Sequence, residues 1–318
     1  MALYIARRTG IALLLIWIVA TLVFMVLHIV PGDPAELLLS HGGTAPDPAI
    51  VADLRRQLGL DQPISTQYFT YLGGLLRGDL GHSLQDGHSV SEEVALRLPR
   101  TLELIVVAVL LAAAAGIPLG TLAALRSGSR FDGALSIAAG IALSVPVFVI
   151  GTLAVLVFAQ KLRLVPAGGY TPFLTDPVRH LTLVLMPSCT MALSLWAVIL
   201  RITRSSVLEV LSRDFVRAVR AKGVAPRRIV MSHVLRNALI PVITVIGLHA
   251  GTLLGSTVLI EFVFNWPGLS GYLVRAVEAR DYPEVVGIIL VISFLFIFLN
   301  LLIDLLYAVL DPRVRHAA

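Results

Sequence analysis

The sequence predicts an all-α membrane protein of six transmembrane helices, with both termini on the cytoplasmic side. Its mean hydropathy is +0.88 and only 14% of its 318 residues are charged, whereas soluble proteins usually carry about 25%. Several apolar runs reach about 20 residues, the length that a helix needs to cross the ~30 Å hydrocarbon core. Basic residues are also unevenly distributed between the connections of these runs, which indicates a fixed orientation.

Six apolar runs define the predicted spans. They cover residues 9–30, 102–125, 133–159, 181–200, 239–261 and 284–310. The first run has 22 residues after Arg7 and Arg8. It is longer than the apolar region of a secretory signal, so we expect a retained span. Pro118, Pro146 and Pro187 fall inside spans, where we expect them to kink helices whose freed carbonyls are satisfied by neighbouring helices.

The distribution of Lys and Arg fixes the predicted orientation. Six spans place both termini on one side, and the connections on that side hold 15 of the 25 basic residues within about 60 positions. The opposite connections hold 10 basic residues in about 115 positions. Because basic residues accumulate in cytoplasmic connections, the first set is predicted to be cytoplasmic. It includes the long connection 201–238.

The longest predicted extracytoplasmic segment is 31–101. Within it Ile50, Leu54, Leu58 and Leu60 stand at amphipathic spacing among polar residues, which predicts one or two short helices on the outer face of the membrane. A Gly-Leu-Asp-Gln-Pro run after Leu58 marks a turn. These helices are too short to enclose a core of their own, so the whole chain, 1–318, is predicted to form a single transmembrane domain.

The predicted cytoplasmic connection contains a strongly basic stretch, Ser212–Val242. In a helix, Arg213, Arg217 and Arg220 would share one face. Asp214 would lie in the first turn, where a carboxylate complements the helix dipole. A second face would carry Phe215, Ala218, Val219 and Lys222.

The same stretch also contains its own helix terminator. Gly223 is a natural residue to follow the last helical turn, and Pro226 comes soon after it. The run RRIVMSHVLRNAL then predicts a second helix that leads into the fifth span. We therefore expect a helix–Gly–helix hairpin below the membrane, although its basic face would also bind anionic lipid.

The sequence lacks the common motifs of ATP-hydrolysing and metal-binding sites. No G-x-x-x-x-G-K-[ST] phosphate loop occurs, and neither Lys161 nor Lys222 follows a glycine-rich turn. We therefore expect no ATP hydrolysis by this chain alone. The single cysteine, Cys189, excludes an intrachain disulfide and an all-thiolate metal site, and no H-E-x-x-H zinc motif is present.

Two other polar patterns resemble parts of a catalytic or transport site. GLSG at 268–271 matches a motif of intramembrane serine proteases, but activation of Ser270 needs a histidine on a later span. The only later histidine, His316, is in the terminal tail. Glu103 and Glu261 lie near the outer ends of their spans, where we expect them to reach water. No clear mid-span carboxylate supports a proton-coupled transporter.

Small residues repeat every four positions in two spans. They are Gly247, Gly251 and Gly255 in the fifth span, and Gly116 and Gly120 in the second. Such stripes let helix backbones approach closely, so they predict helix packing within the chain. The alternative for the fifth-span stripe is a place on the permeation pathway or against a partner helix.

The run DFVRAVRAKG at 214–223 resembles the coupling loop, or EAA loop, of the peptide/nickel branch of binding-protein-dependent ABC importer permeases. That branch typically reads D-[YF]-V-R-x-A-R-A-K-G. In the wider EAA consensus, Arg217-Ala218-Val219 stands at the Glu-Ala-Ala position, of which only Ala218 is kept, and Gly223 occupies the Gly position. Other runs resemble the same family in collinear order. They are YIARR at 4–8, PGDPA at 31–35, LGLDQPI at 58–64, GDLGHSL at 78–84, VFNWPGLSGYLVRAVEARDYPEVVG at 263–287 and DPRVR at 311–315.

The resemblance implies a type I ABC importer permease bundle in the cytoplasmic (inner) membrane of a bacterium or archaeon. Its implied partners are a second homologous permease subunit, two cytoplasmic ABC ATPase subunits, an extracytoplasmic substrate-binding protein and membrane lipid, with no nucleic acid. ATP and Mg²⁺ would bind to the ATPase subunits, and this chain would hold no cofactor. The implied ATPase-coupling residues are Arg213, Asp214, Phe215, Arg217, Ala218, Arg220, Lys222, Gly223, Arg227 and Arg228.

The resemblance also implies the transported substrate, most directly di- or oligopeptides. Import of nickel, glutathione, an opine or an oligosaccharide stays open within the same fold. A self-contained secondary transporter or channel is the alternative from another class. The lack of a clear mid-span carboxylate and of a detectable internal repeat counts against that alternative.

Overall fold

The computed structural model describes residues 2–29, 35–36, 47–57 and 59–310. Over these ranges the chain is helical and contains no β-strand apart from an isolated bridge between His82 and Ser89. The predicted all-α class is therefore confirmed. Leu58, the run 311–315 and all but the last residue of the run 31–35 lie outside the described residues.

Long apolar helices dominate the described chain. The helices are α1 (Ala2–Ile29), α2 (Pro48–Gln57), α3 (Ile64–Leu76), α4 (Val90–Leu125), α5 (Arg130–Ser144), α6 (Val147–Lys161), α7 (Pro177–Ser212), α8 (Asp214–Ala221), α9 (Pro226–Val263), α10 (Leu269–Glu278) and α11 (Tyr282–Leu310). Five of the described helices, α1, α4, α7, α9 and α11, are long and apolar enough to cross a membrane, and the pair α5–α6 makes a sixth candidate span.

The third predicted span, 133–159, is a bent pair rather than one kinked helix. The axes of α5 and α6 differ by 100°. Val145 is extended, with φ −93° and ψ 127°, and Pro146 precedes the first turn of α6. A residue before proline is pushed out of the α region, so the chain breaks here. Pro118 and Pro187, in contrast, lie inside continuous helices, as expected.

Helix α7 extends well beyond the fourth predicted span. It continues through Arg201 and Arg204 to Ser212, so the first third of the predicted loop 201–238 is helical. The predicted span stops at the first basic residues, because charged residues mark the end of an apolar run. They do not by themselves end a helix. Val207 and Val210 keep an apolar stripe on α7 that is buried.

One compact unit of the chain consists of Pro99–Gly271 with residues from both chain ends. In it α4 packs on α7 through the predicted glycine stripe. A Cβ on Gly116 would lie 2.7 Å from Ile199 Cγ2, and one on Gly120 would lie 2.7 Å from the carbonyl oxygen of Leu200. These glycines are therefore required for close helix packing within the chain, as predicted.

The other compact unit consists of Ala6–Leu98 and Tyr272–Phe298. It contains α2 and α3, which agrees with the prediction of one or two short helices in the segment 31–101. Side chains of α3, including Tyr71 and Leu75, pack against a small buried cluster with Ala20 and Leu290. The location of α2 and α3 on the outer face of the membrane stays a prediction.

Asp281 joins two of the sequence motifs within this unit. Its buried carboxylate accepts hydrogen bonds from Ser83 Oγ at 2.6 Å and from the backbone N–H of Leu84 at 2.8 Å. Nearby, the Tyr272 hydroxyl donates to Glu284 at 2.6 Å. Burial, and then this hydrogen bond, raise the pKa of Tyr272, which keeps the hydroxyl protonated and able to donate.

Candidate functional site

The hairpin predicted from the basic stretch is present. Helix α8 follows Arg213, which is extended, and carries Asp214 in its first turn. It ends at Ala221, and Gly223 follows with a φ of +77° and an N–H that donates to the carbonyl oxygen of Arg220 at 3.0 Å. The predicted terminator role of Gly223 is therefore confirmed. Pro226 occupies the first turn of α9, so it starts the next helix as well as following the previous one.

A buried apolar cluster holds the hairpin onto the bundle. The sequence pattern did not predict the α8 residue of this cluster, Val216. Val216 of α8 is 1% exposed and belongs to a cluster with Val207 and Val210 of α7 and with Ile229 and Val234 of α9. Burying a side chain of this size contributes about 1.5–3 kcal/mol.

The packed face of α8 differs from the predicted grouping. Val219 of α8, and Val224 after the helix, are partly buried against the cluster, whereas Phe215 is 38% exposed. Val216 and Val219, three residues apart, were the available signal for the buried face.

The residues predicted to contact an ATPase are all exposed in this chain. They are Arg213, Asp214, Phe215, Arg217, Ala218, Arg220, Lys222, Gly223, Arg227 and Arg228. Two exposed ion pairs partly balance the charge, Arg213 with Glu209 at 2.7 Å and Arg217 with Asp214 at 3.4 Å. Such surface pairs contribute only about 0–1 kcal/mol, so they leave the hairpin surface strongly basic and easily rearranged. An acidic groove is the electrostatic complement of that surface.

Gly223 presents an open surface at the tip of the hairpin. A Cβ placed there would meet no atom within 4 Å. The glycine is therefore needed for its left-handed backbone and not for space inside the chain. Ala218 of α8 is exposed as well, so neither position presents a side chain larger than a methyl group to another protein.

The fifth-span glycines have three different environments. A Cβ on Gly247 would lie 3.2 Å from Ile303 of α11, so this glycine serves packing within the chain. Gly251 is buried. Gly255 is exposed, and a Cβ there would meet no atom within 4 Å. A pathway or partner-helix role for this stripe stays a prediction, and it is best placed at Gly255.

Glu261 is buried, contrary to the expectation that it reaches water. The residue is 1% exposed, and its carboxylate accepts from Thr101 Oγ1 at 2.6 Å and from the N–H groups of Ser270 and Gly271 at 2.8 and 3.0 Å. A Cβ on Gly268 would overlap this carboxylate. The GLSG run is thus the start of α10 wrapped around a buried carboxylate, as the first turn of a helix favours an anion.

Comparison with known families now defines the class of protein. A family model described as the binding-protein-dependent transport system inner membrane component matches residues 116–316. A second model, for the N-terminal part of such membrane components, matches residues 1–105. The chain therefore belongs to the binding-protein-dependent family of ABC importer permeases and is a multi-pass inner-membrane protein.

Individual relatives cover nearly the whole chain. The di/tripeptide transport system permease protein of Pseudomonas aeruginosa (strain UCBPP-PA14) and the dipeptide transport system permease protein of Escherichia coli (strain K12) are each 39% identical to it, over 98% of both chains. Among solved structures, a chain of the inward-facing MetNI methionine ABC transporter matches with a TM-score of 0.54 and 18% identity, over 69% of this chain and 96% of that one. That likeness supports the fold.

Proposed function

We propose that this chain is the membrane-spanning permease subunit of an ATP-driven, binding-protein-dependent importer of di- or oligopeptides. The observation that carries the proposal is the 39% identity, over 98% of both chains, to permeases named for dipeptides and for di/tripeptides. Similarity that extends through both matched parts of the chain favours a shared transport role over a shared helix bundle alone.

The proposed orientation places both termini and the hairpin in the cytoplasm. It rests on the 15 basic residues in the connections on that side, against 10 on the other. The segments that include α2, α3 and α10 then face outward, where an extracytoplasmic binding protein would dock and release its ligand. A second homologous permease would complete the pathway.

Helix α8 is the proposed contact with the ATPase subunits. Two cytoplasmic ATPase subunits, which would bind ATP and Mg²⁺, each hold one hairpin of the permease pair. The basic residues of α8 and its neighbours contact an acidic groove, and the small exposed residues Ala218 and Gly223 allow close approach. Because Val216 fixes α8 to α7 and α9, closure of the ATPase pair pulls on the ends of both spans. The bundle would then change between inward-open and outward-open states.

Reconstitution tests this proposal. The chain is purified together with the proposed ATPase subunits, second permease and binding protein, and the complex is placed in liposomes. We expect ATP-dependent uptake of a labelled dipeptide that unlabelled dipeptides inhibit and that nickel, glutathione, opines and oligosaccharides do not. Inhibition by one of these other compounds alone would reassign the substrate. Transport driven by an ion gradient in liposomes that contain only this chain would contradict the proposal.

A further inference from the structure

A bidentate ion pair joins the start of α5 to α7. Arg204 Nε donates to Asp132 Oδ1 at 2.6 Å, and Arg204 Nη2 donates to Oδ2 at 2.8 Å. The Asp132 side chain is 7% exposed and that of Arg204 is 31% exposed. A planar guanidinium that meets a carboxylate through two parallel bonds fixes the angle between the side chains as well as their distance.

Asp132 is also held firmly within its own helix. Its Oδ2 accepts the backbone N–H of Gly128 at 3.0 Å, and its own N–H donates to Ser129 Oγ, which caps α5. Gly128 adopts a left-handed φ of +79° in the turn before the helix. Because of these bonds, a force on the carboxylate acts on the first turn of α5 and not on a loose side chain.

Arg204 lies on the part of α7 that supports the hairpin. Val207 and Val210 follow it by about one and two helical turns, and both belong to the cluster that buries Val216. The continuous helix α7 therefore carries both the Arg204 guanidinium and the valines on which the hairpin packs.

The remaining α5–α7 contact is apolar. Ala139 and Ala142 of α5 pack against Ala197 and Leu200 of α7, and Leu135 of α5 and Trp196 of α7 are partly buried against the same cluster. Apolar burial of this kind is non-directional. The ion pair therefore supplies a directional link between these helices.

We infer that the Asp132–Arg204 pair is a positioning clasp, which makes the bent pair α5–α6 move with the end of α7 on which the hairpin rests. The inference rests on the proposed function, because an ATPase must pull on the hairpin for the clasp to transmit anything. Helix α6 lines an apolar cavity of about 700 Å³ together with α4 and α7, so displacement of the bent pair reshapes that cavity.

Cys189 provides a natural reporter of this movement. It is the single cysteine of the chain, it lies on α7, and it lines the same cavity as Ile150 and Leu153 of α6. A shift of α6 against α7 alters access to the thiol. Labelling of Cys189 therefore reports the arrangement of the bent pair without knowledge of the transported substrate.

The experiment uses the full importer complex with cysteine-free partner subunits, reconstituted in liposomes. The rate of Cys189 labelling by N-ethylmaleimide is measured with and without ATP and vanadate, alongside ATP hydrolysis. The test variant combines Arg204→Met with Asp132→Asn. It leaves no unpaired buried charge, and Asn retains an acceptor for the Gly128 N–H. The control is Arg201→Met, which removes an exposed cation from the same helix.

In the wild type and the control we expect nucleotide to change the labelling rate by about tenfold, and in the double variant by less than about twofold with ATP hydrolysis retained. A merely structural pair would instead lower the yield of complex and leave the response of the assembled fraction intact. If the double variant fails to assemble, Arg204→Lys replaces it. Lys keeps the charge and loses the fork, so an intermediate response is expected.

Two results overturn the inference: a full nucleotide response in these variants, or no response in a wild-type complex that hydrolyses ATP. A wild-type complex whose labelling responds to nucleotide but that imports no peptide would reject the proposed substrate. The clasp would still be judged by the labelling of the double variant.

Discussion

The carboxylate of Glu261 on α9 accepts a hydrogen bond from Thr101 Oγ1 on α4 at 2.6 Å. Its other oxygen receives the backbone N–H groups of Ser270 and Gly271 at the start of α10. The hydrogen bonds that this carboxylate receives thus tie three helices together. An ionised carboxylate, which only accepts, matches such a set of donors.

Replacing Glu261 with glutamine should destabilise the protein. The amide NH₂ of Gln would face either the Thr101 hydroxyl or two N–H groups, and leaving such buried donors without an acceptor costs about 1–3 kcal/mol. We expect a lower melting temperature in detergent. The matched control is Glu103→Gln, because the Gln amide can either donate to or accept from His180 Nε2, which lies 2.5 Å from the Glu103 carboxylate. Equal melting of both variants would contradict the anchoring role of Glu261.

Gly268→Ala should be more harmful than Gly255→Ala. A methyl group at 268 would overlap the Glu261 carboxylate, whereas one at 255 meets no atom within 4 Å. Alanine is also the better helix former by about 1 kcal/mol, which favours the Gly255→Ala change. Thermal unfolding of the two purified variants checks this. If Gly268→Ala melts like the wild type, the close contact between residues 261 and 268 does not exist in the folded protein.

Local patterns predicted the span content and the hairpin because both depend on residues close in sequence. Apolar run length locates most of the helices that could cross the membrane, and Gly223 with Pro226 marks the turn between α8 and α9. The break at Pro146 was not predicted, because most prolines inside spans only kink a helix.

Pairs that join distant parts of the chain could not be derived from one sequence. Asp132 and Arg204 are 72 residues apart, and Thr101 and Glu261 are 160 apart. Each member looks like an ordinary polar residue near the end of a span. Val216 stands among the many Arg residues of α8, so the local pattern indicates the exposed face of that helix rather than its buried face.

Substitutions at Val216 and Phe215 should have different effects, one on the attachment of α8 to the bundle and the other on its contact with the ATPase. Val216→Asp places a charge in the buried cluster that holds α8, so we expect the hairpin to detach and to become sensitive to trypsin at its many basic residues. Phe215→Ala removes an exposed side chain, and we expect an unchanged tryptic pattern with reduced co-isolation of the ATPase. Limited proteolysis and affinity purification of both variants test this. A protected hairpin in Val216→Asp would show that the apolar cluster does not hold α8.

Gly223→Val should uncouple ATP hydrolysis from dipeptide uptake in the proposed importer. A β-branched residue strongly disfavours a φ of +77°, so the hairpin tip changes shape. The spans keep their packing, because a Cβ at position 223 would meet no atom within 4 Å. We expect ATP hydrolysis to persist and dipeptide uptake to fall. Gly59→Val is the control, since Gly59 also has a positive φ, +68°, and open surroundings but lies in the predicted outer segment. Equal uptake by the two variants would contradict the special role of the hairpin tip.

The central claim is that the exposed face of α8 contacts an ATPase subunit, and photo-crosslinking tests it most directly. The probe p-benzoylphenylalanine replaces Phe215 of α8 in one sample and Phe69 of α3 in the other, both of them exposed. The intact complex is then irradiated in its membrane. We predict a covalent adduct with the ATPase from position 215 and none from position 69. An intact complex whose position 215 captures only lipid, or whose position 69 captures the ATPase, would contradict the account.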